Sequence, residues 1–322
     1  VVIAAPLGGI GAPHRPVLLK ETMEFLVPER GGLFVDCTVG LGGHSEAILK
    51  FSARTRVLGM DLDPSALAYA RQRLAPFGER FQAFQANFRE LADVLSRAGE
   101  HDTDGILVDL GVSSLQFDSP ERGFSFRFDA PLDMRMDPTS GATAADLLQQ
   151  LPESEIARII FEFGEERHSR RIARRIVERR EQGKPVTTTK ELADLVMSAV
   201  GGRKQDQIHP ATRTFQALRI AVNDELEGLG DFVELAVDLL AADGRFVGIS
   251  FHSLEDRILK QELRRLSGHC QCPPRLPVCS CGAKELVEIL TRRPVAPSAR
   301  EIEENPRARS AKLRACRKLV SQ

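Results

Sequence analysis

The chain has 322 residues, 42% of them hydrophobic and 28% charged, with a net charge of −1. That length buries a sizeable core in one large domain or two smaller ones. The near-zero charge excludes a chain that is basic throughout, so a nucleic-acid partner would have to be met by local patches; no apolar run is long enough to span a bilayer, and a soluble, cytoplasmic protein is expected.

The opening VVIAAPLGGIGAP, broken by Pro6, Gly8, Gly9 and Pro13, reads as a flexible arm over 1–13. Residues 33–37 (LFVDC) form a short apolar run that ends in a glycine-rich turn, and 44–50 follow as a helix. A second strand is expected at 56–61 (RVLGMD). Pro64 then starts a helix with Leu67, Ala70, Arg71 and Leu74 at helical spacing. Strands at 81–86 and 105–109 flank a helix at 88–98. Strands alternating with helices predict a parallel sheet covered on both faces. After Asp109 the alternation stops, and 144–200 carries only helical patterns, which reads as an all-helical insertion. Helices at 211–226 and 232–241 lead back to a strand at 245–250, a helix at 254–266 and a last strand at 285–290.

In DCTVGLGGHS, Gly40, Gly42 and Gly43 let the backbone turn sharply and approach a ligand at the carboxyl end of the first strand. Asp61 ends the second strand, where an acid accepts hydrogen bonds from ribose hydroxyls; the pair implies an adenosine-bearing cofactor. The third glycine of the dinucleotide fingerprint is missing, so a methyl donor fits better than a nicotinamide. Asp109 ends the fourth strand, at the crevice where open parallel sheets bind ligands.

In HPATRTFQALRIAVNDELE, Phe215, Leu218, Val222 and Leu226 make an apolar stripe, and His209, Arg213, Gln216 and Asn223 fall opposite it. The second set is either a solvated face or a set of hydrogen-bonding groups for phosphates and base edges. In SFHSLEDRI, Ser253 and Asp256 have capping-box spacing, and His252 sits at a strand end beside the crevice, as a structural or a substrate-touching residue. Six cysteines divide into lone Cys37 and Cys316 and a cluster, Cys270, Cys272, Cys279 and Cys281, that reads either as a structural zinc site or as a reduced-thiol loop.

Together these segments resemble the MraW-type (RsmH) small-subunit rRNA cytosine-N4 methyltransferases. HRPVLLKE, DCTVGLGGHS, DLDPSAL, DLGVSSLQFD, RGFSF, PLDMRM, HPATRTFQALRIAVNDELE, SFHSLEDRI and NPRARSAKLRA carry the resemblance from His14 to about Ala315. It implies a Rossmann-like class I S-adenosylmethionine-dependent methyltransferase domain, over 14–114 and 216–322, with an all-helical substrate-recognition domain inserted at 115–215. The implied cofactor positions are Gly42, Gly43, His44, Asp61, Phe88, Asp109 and Gln116. The implied substrate is a decoding-centre cytosine of 16S rRNA, met within the small ribosomal subunit; a homodimer is left open.

Against such a substrate, Asp109 is the candidate to accept hydrogen bonds from the cytosine amino group. It takes the place of the Asp/Asn-Pro-Pro-aromatic motif that many amino-methyltransferases carry, and the cofactor's ammonium competes for it. A flipped base needs stacking surface and phosphate partners. In the loop 122–136, Phe124, Phe126 and Phe128 offer rings and Arg122, Arg127 and Arg135 offer guanidinium groups. Basic stretches at 167–180 and 305–318 are further candidates for RNA backbone. A ribosome-assembly factor that binds RNA and cofactor without chemistry, and an amino-methyltransferase acting on DNA or protein, stay open as alternatives.

Overall fold

The structure, a computed structural model, describes residues 16–201, 209–270, 272 and 282–320. The expected arm at 1–13, and Cys279 and Cys281 of the cysteine cluster, lie outside the described residues.

Seven strands are present among the described residues: β1 (Gly32–Asp36), β2 (Thr55–Asp61), β3 (Phe81–Gln85), β4 (Thr103–Asp109), β5 (Leu240–Ser250), β6 (Val287–Ile289) and β7 (Lys312–Lys318). They form one sheet in the order β3-β2-β1-β4-β5-β7-β6. β3 to β5 run parallel, and β7 lies antiparallel to both its neighbours. This is the doubly wound, Rossmann-like sheet that the sequence predicts. The period of two along β1 explains its covering on both faces. Leu33 and Val35 join the core with helices Leu91–Arg97, Leu229–Asp238 and Ser253–Leu266, while Phe34 points the other way, to helices Leu19–Leu26 and Gly43–Phe51.

Helices Ala144–Gln150, Glu153–Glu162, Ser169–Glu181 and Thr189–Val200 share a separate core with Phe124, Leu132 and Met134. Helix Ala211–Asn223 spans the expected 215/216 boundary. Its Ala211, Phe215, Ala217 and Leu218 belong to this second core, and its last residue reaches the parallel sheet's carboxyl edge. One long helix therefore couples the insertion to the crevice.

Two expectations are corrected. The strand at 285–290 is not the last: the basic tail contains β7, an interior strand whose Leu313, Ala315 and Cys316 are fully buried. Its charges are paired within the protein, buried Arg314 and half-exposed Lys312 with Asp256, and Arg317 with Asp243 and Glu288 at the surface. The tail reads as basic because alternate residues of a strand at the sheet's antiparallel end carry the partners of acids elsewhere. Truncation after Ser310 is accordingly expected to leave an insoluble chain, because it unpairs the edges of β5 and β6; a truncated protein with an unchanged melting temperature would restore the reading as a solvated RNA-binding tail. The second correction shifts the capping box by one residue. His252 is the N-cap of helix Ser253–Leu266 and Glu255 the reciprocal partner, which frees Asp256 for Arg314.

Candidate active site

A cavity opens at the carboxyl ends of β1, β2, β4 and β5, where the doubly wound topology leaves a crevice. Its first wall is the glycine turn. Gly40 (φ +50°) and Gly42 (φ +75°) take left-handed conformations, and helix Gly43–Phe51 begins immediately. A Cβ on Gly43 would stand 2.3 Å from Pro16 Cγ, so only glycine lets the segment 16–17 close over the turn. His44, 7% exposed, donates through Nε2 to the Val17 carbonyl at 3.0 Å, and its Nδ1 lies 3.8 Å from Asp109 Oδ2.

Asp61 braces this wall by accepting from the Gly40 N–H at 2.8 Å and from the Asp63 N–H at 2.9 Å. Burial nevertheless outweighs these bonds and pushes its carboxyl up to about 6. Asp36, behind the turn, is likewise pushed to about 6 by burial, against a 2.7 Å bond from the Ser45 hydroxyl. Phe88 forms a side wall, its ring 4.8 Å from that of Phe232.

Asp109 stands between the two halves of the cavity. Its N–H donates to Thr38 Oγ1 at 2.7 Å, which fixes the backbone, but its Oδ1 is buried with no hydrogen-bond partner among the described residues. Burial, then the charges of Asp36 and Glu255, drive its pKa well above the usual carboxylate range. An orphaned buried acceptor of this kind calls for an incoming donor, and a cationic one removes the repulsion as well.

Gln116 lines the cavity with its polar atoms already engaged. Its Oε1 accepts from the Ser113 N–H at 3.0 Å and its Nε2 donates to Asp63 Oδ2, also at 3.0 Å. Asp63, fully buried, also caps helix Pro64–Leu74 through the Ser65 N–H and binds Arg122 at 2.8 Å. Arg122 in turn donates to the carbonyls of Arg135 and Met136. Its guanidinium, read from sequence as a phosphate partner, thus holds the loop 122–136 shut on itself. Arg135 is chelated by Asp133.

The aromatic loop divides by depth. Phe124 is 7% exposed in the insertion's core, Phe126 packs with His209 (4.7 Å) and Phe215 (4.9 Å), and Phe128 is 51% exposed. On helix Ala211–Asn223, Asn223 accepts from the Met136 N–H at 2.7 Å and donates to the Met134 carbonyl at 2.8 Å, clamping the loop to the cavity. Gln216 donates to the Phe163 carbonyl at 2.9 Å; Arg213 is exposed beside Glu165 and Glu166. His209 accepts from the Ala211 N–H at 3.1 Å. Of these, Asn223 alone lines the cavity with Asp109, together with Met136, Glu225, Phe251, Glu255 and Arg307.

Glu225 and Glu255 were not singled out in the sequence. Arg219 grips Glu225 by two 2.8 Å bonds, and His252 Nε2 stands 3.1 Å from Glu255 Oε1 without meeting hydrogen-bond geometry. Burial pushes Glu255 up, yet His252, Arg219 and the Phe251 N–H outweigh it and hold this carboxyl below its ordinary range. The only local signal was capping spacing, which Ser253 and Asp256 offered equally well.

A family model described as the MraW methylase family matches residues 11–319. The protein of Carboxydothermus hydrogenoformans named ribosomal RNA small subunit methyltransferase H is 52% identical over 306 residues, covering 95% of this chain and 98% of its own. That of Trichlorobacter lovleyi is 53% identical over 308 residues (95% and 98%), and that of Geobacter sulfurreducens 54% over 308 residues (95% and 99%). A match that runs nearly end to end over the glycine turn, the orphaned Asp109 and the inserted helices makes this chain a member of the MraW methylase family.

Proposed function

We propose that the protein transfers a methyl group from S-adenosylmethionine to the N4 amino group of a decoding-centre cytosine in 16S rRNA, acting in the cytoplasm on the small ribosomal subunit. The names of its relatives support the rRNA substrate, and the orphaned Asp109 Oδ1 inside the cavity is the observation that carries the cofactor. No described helix is long and apolar enough to cross a membrane, in keeping with such a substrate.

When bound, S-adenosylmethionine supplies a methyl carbon made electrophilic by its sulfonium. Gly42, Gly43 and His44 would hold it at the glycine turn, Asp61 at the ribose, Phe88 against the adenine, and Asp109 at its cationic end. Gln116 contributes by fixing the Asp63–Arg122 brace behind the cavity. On the RNA side, the base leaves its stack to reach a cavity this deep. Phe126 with His209, and exposed Phe128, offer it aromatic surface. Arg167, Arg170, Arg171, Arg174 and Arg175 expose a basic face on the insertion that suits RNA backbone.

Purified protein with labelled S-adenosylmethionine and small subunits lacking the modification is expected to label one cytosine of 16S rRNA. Binding to subunits without any label would instead favour the assembly-factor reading. Cofactor affinity should also depend on pH. Ribose hydroxyls donate to the ionised Asp61, whose carboxyl is pushed to about 6 by burial, so affinity is full above that pH and lost below it. Calorimetry with S-adenosylhomocysteine is expected to show affinity about tenfold weaker at pH 5 than at pH 7.5. A flat profile would remove Asp61 from the binding set.

A further inference from the structure

We propose that Glu255 is a catalytic residue: its Oε1 accepts a hydrogen bond from the exocyclic amino group of the target base and takes the proton that this nitrogen loses on methylation, with His252 as a positioning residue. The inference rests on the methyltransferase reading above and names the group that does this work.

Strand order gives the direction. Asp61 at the end of β2 and Glu255 beyond the end of β5 lie on opposite sides of Asp109 at the end of β4. Displacement at a methyl carbon is in line, with nucleophile and leaving sulfur on opposite sides. A cofactor held by Asp61 at its adenosine end and by Asp109 at its cationic end would leave the β5 side of the cavity, where Glu255 stands, for the acceptor nitrogen.

Four acids line the cavity, and three are otherwise engaged. Asp61 carries two backbone N–H groups. Glu225 is chelated through both oxygens by Arg219. Asp109 would be taken by the cofactor's cationic end, as proposed above. Glu255 Oε2 is anchored by the N–H groups of Phe251 (2.8 Å) and His252 (3.3 Å), whereas Oε1 has no backbone partner among the described residues. The side chain is 1% exposed, so its orientation is fixed before substrate arrives. An amino group on a cytosine is a donor, and a carboxylate is its natural acceptor.

The chemistry suits a carboxylate held ionised. The amino lone pair forms the nitrogen–carbon bond as the carbon–sulfur bond breaks, and that electron pair stays on sulfur. The nitrogen then carries one proton too many, and passes it to Glu255, which releases it to water. A protonated, methylated N4 is a far stronger acid than a carboxylic acid, so a carboxylate below its ordinary range still accepts this proton, and its charge favours the cation as it develops.

Glu255→Gln keeps an acceptor for the Phe251 and His252 N–H groups and removes only charge and basicity. Single-turnover methylation of unmodified small subunits is expected to fall at least about a hundredfold, far more than any change in S-adenosylhomocysteine affinity, with the fold retained by circular dichroism. Glu255→Asp should recover part of the rate, and His252→Asn, which preserves an N-cap, should lower the rate without changing affinity for subunits. A glutamine variant as fast as wild type overturns the proposal. Should that variant fail to fold, a wild-type single-turnover rate in Glu255→Asp overturns it instead. If the wild-type protein labels no rRNA, the functional reading itself fails; if wild type labels and the variants keep pace, only the role of Glu255 does.

Discussion

Asp109→Asn is expected to yield a protein that is more stable without ligand and much poorer at binding S-adenosylmethionine. Oδ1 is buried without a hydrogen-bond partner among the described residues, and burial, Asp36 and Glu255 push the carboxyl well above its ordinary value of 3.8. An acid whose pKa is raised by folding contributes stability that is present below the unfolded value and is lost as pH rises through the folded one. The neutral amide escapes that loss. The gap between variant and wild-type melting temperatures should therefore widen as pH rises above the carboxylate range, and thermal melts at pH 5 and pH 8 measure it. Loss of a charged acceptor for the cofactor's cation should cost about 1.5–3 kcal/mol, or roughly 10- to 150-fold in affinity. A variant that binds S-adenosylhomocysteine as wild type does would remove Asp109 from the cofactor's partners, whatever its stability. Charge kept in the cavity at the expense of the empty fold is a common pattern at sites shaped for ligands.

Asp63→Ala should be the most damaging single change outside the cavity wall. The residue is fully buried and serves the Ser65 N–H, the Gln116 amide and the Arg122 guanidinium at once. Arg122 is only 12% exposed, and a buried charge stripped of its partner costs about 3–5 kcal/mol, with about 1 kcal/mol more for the lost helix cap. Thermal denaturation should show the loss, and hydrogen exchange should show faster opening of 113–136, because Arg122 also holds the carbonyls of Arg135 and Met136. A melting temperature within a degree of wild type would mean that the brace contributes nothing.

The half of the cavity around the glycine turn was legible because its signals are local. A glycine turn after an apolar run, and single acids ending the next strands, occupy short stretches whose geometry follows from their own spacing; Gly40, Gly43, Asp61 and Asp109 all line the cavity, while Gly42 sits within the turn without lining it. The opposite half was not. His209, Arg213 and Gln216 share a helix face with Asn223, yet only Asn223 reaches the cavity, because a helix face names a direction and not what lies in front of it. Glu255 went unnoticed for a related reason: capping spacing fits two registers, and the backbone's approach to β5 selects the one starting at His252.

By itself the sequence determined the alternating sheet, the helical insertion, the glycine turn and the acids at the strand ends, since each follows from a period or spacing within a few residues. Only the tertiary structure decided where the charges go. Arg122 meets Asp63 across 59 positions, Arg314 meets Asp256 across 58, and Asn223 meets the Met136 N–H across 87. A long charged side chain carries no local mark of its partner, so Arg122 of the loop and Arg314 of the tail, which look ready for RNA, turn inward once folding brings carboxylates and carbonyls within reach. Burying them unpaired would cost several kcal/mol each. Asp109 Oδ1 departs from that rule, a buried carboxylate oxygen with no hydrogen-bond partner among the described residues.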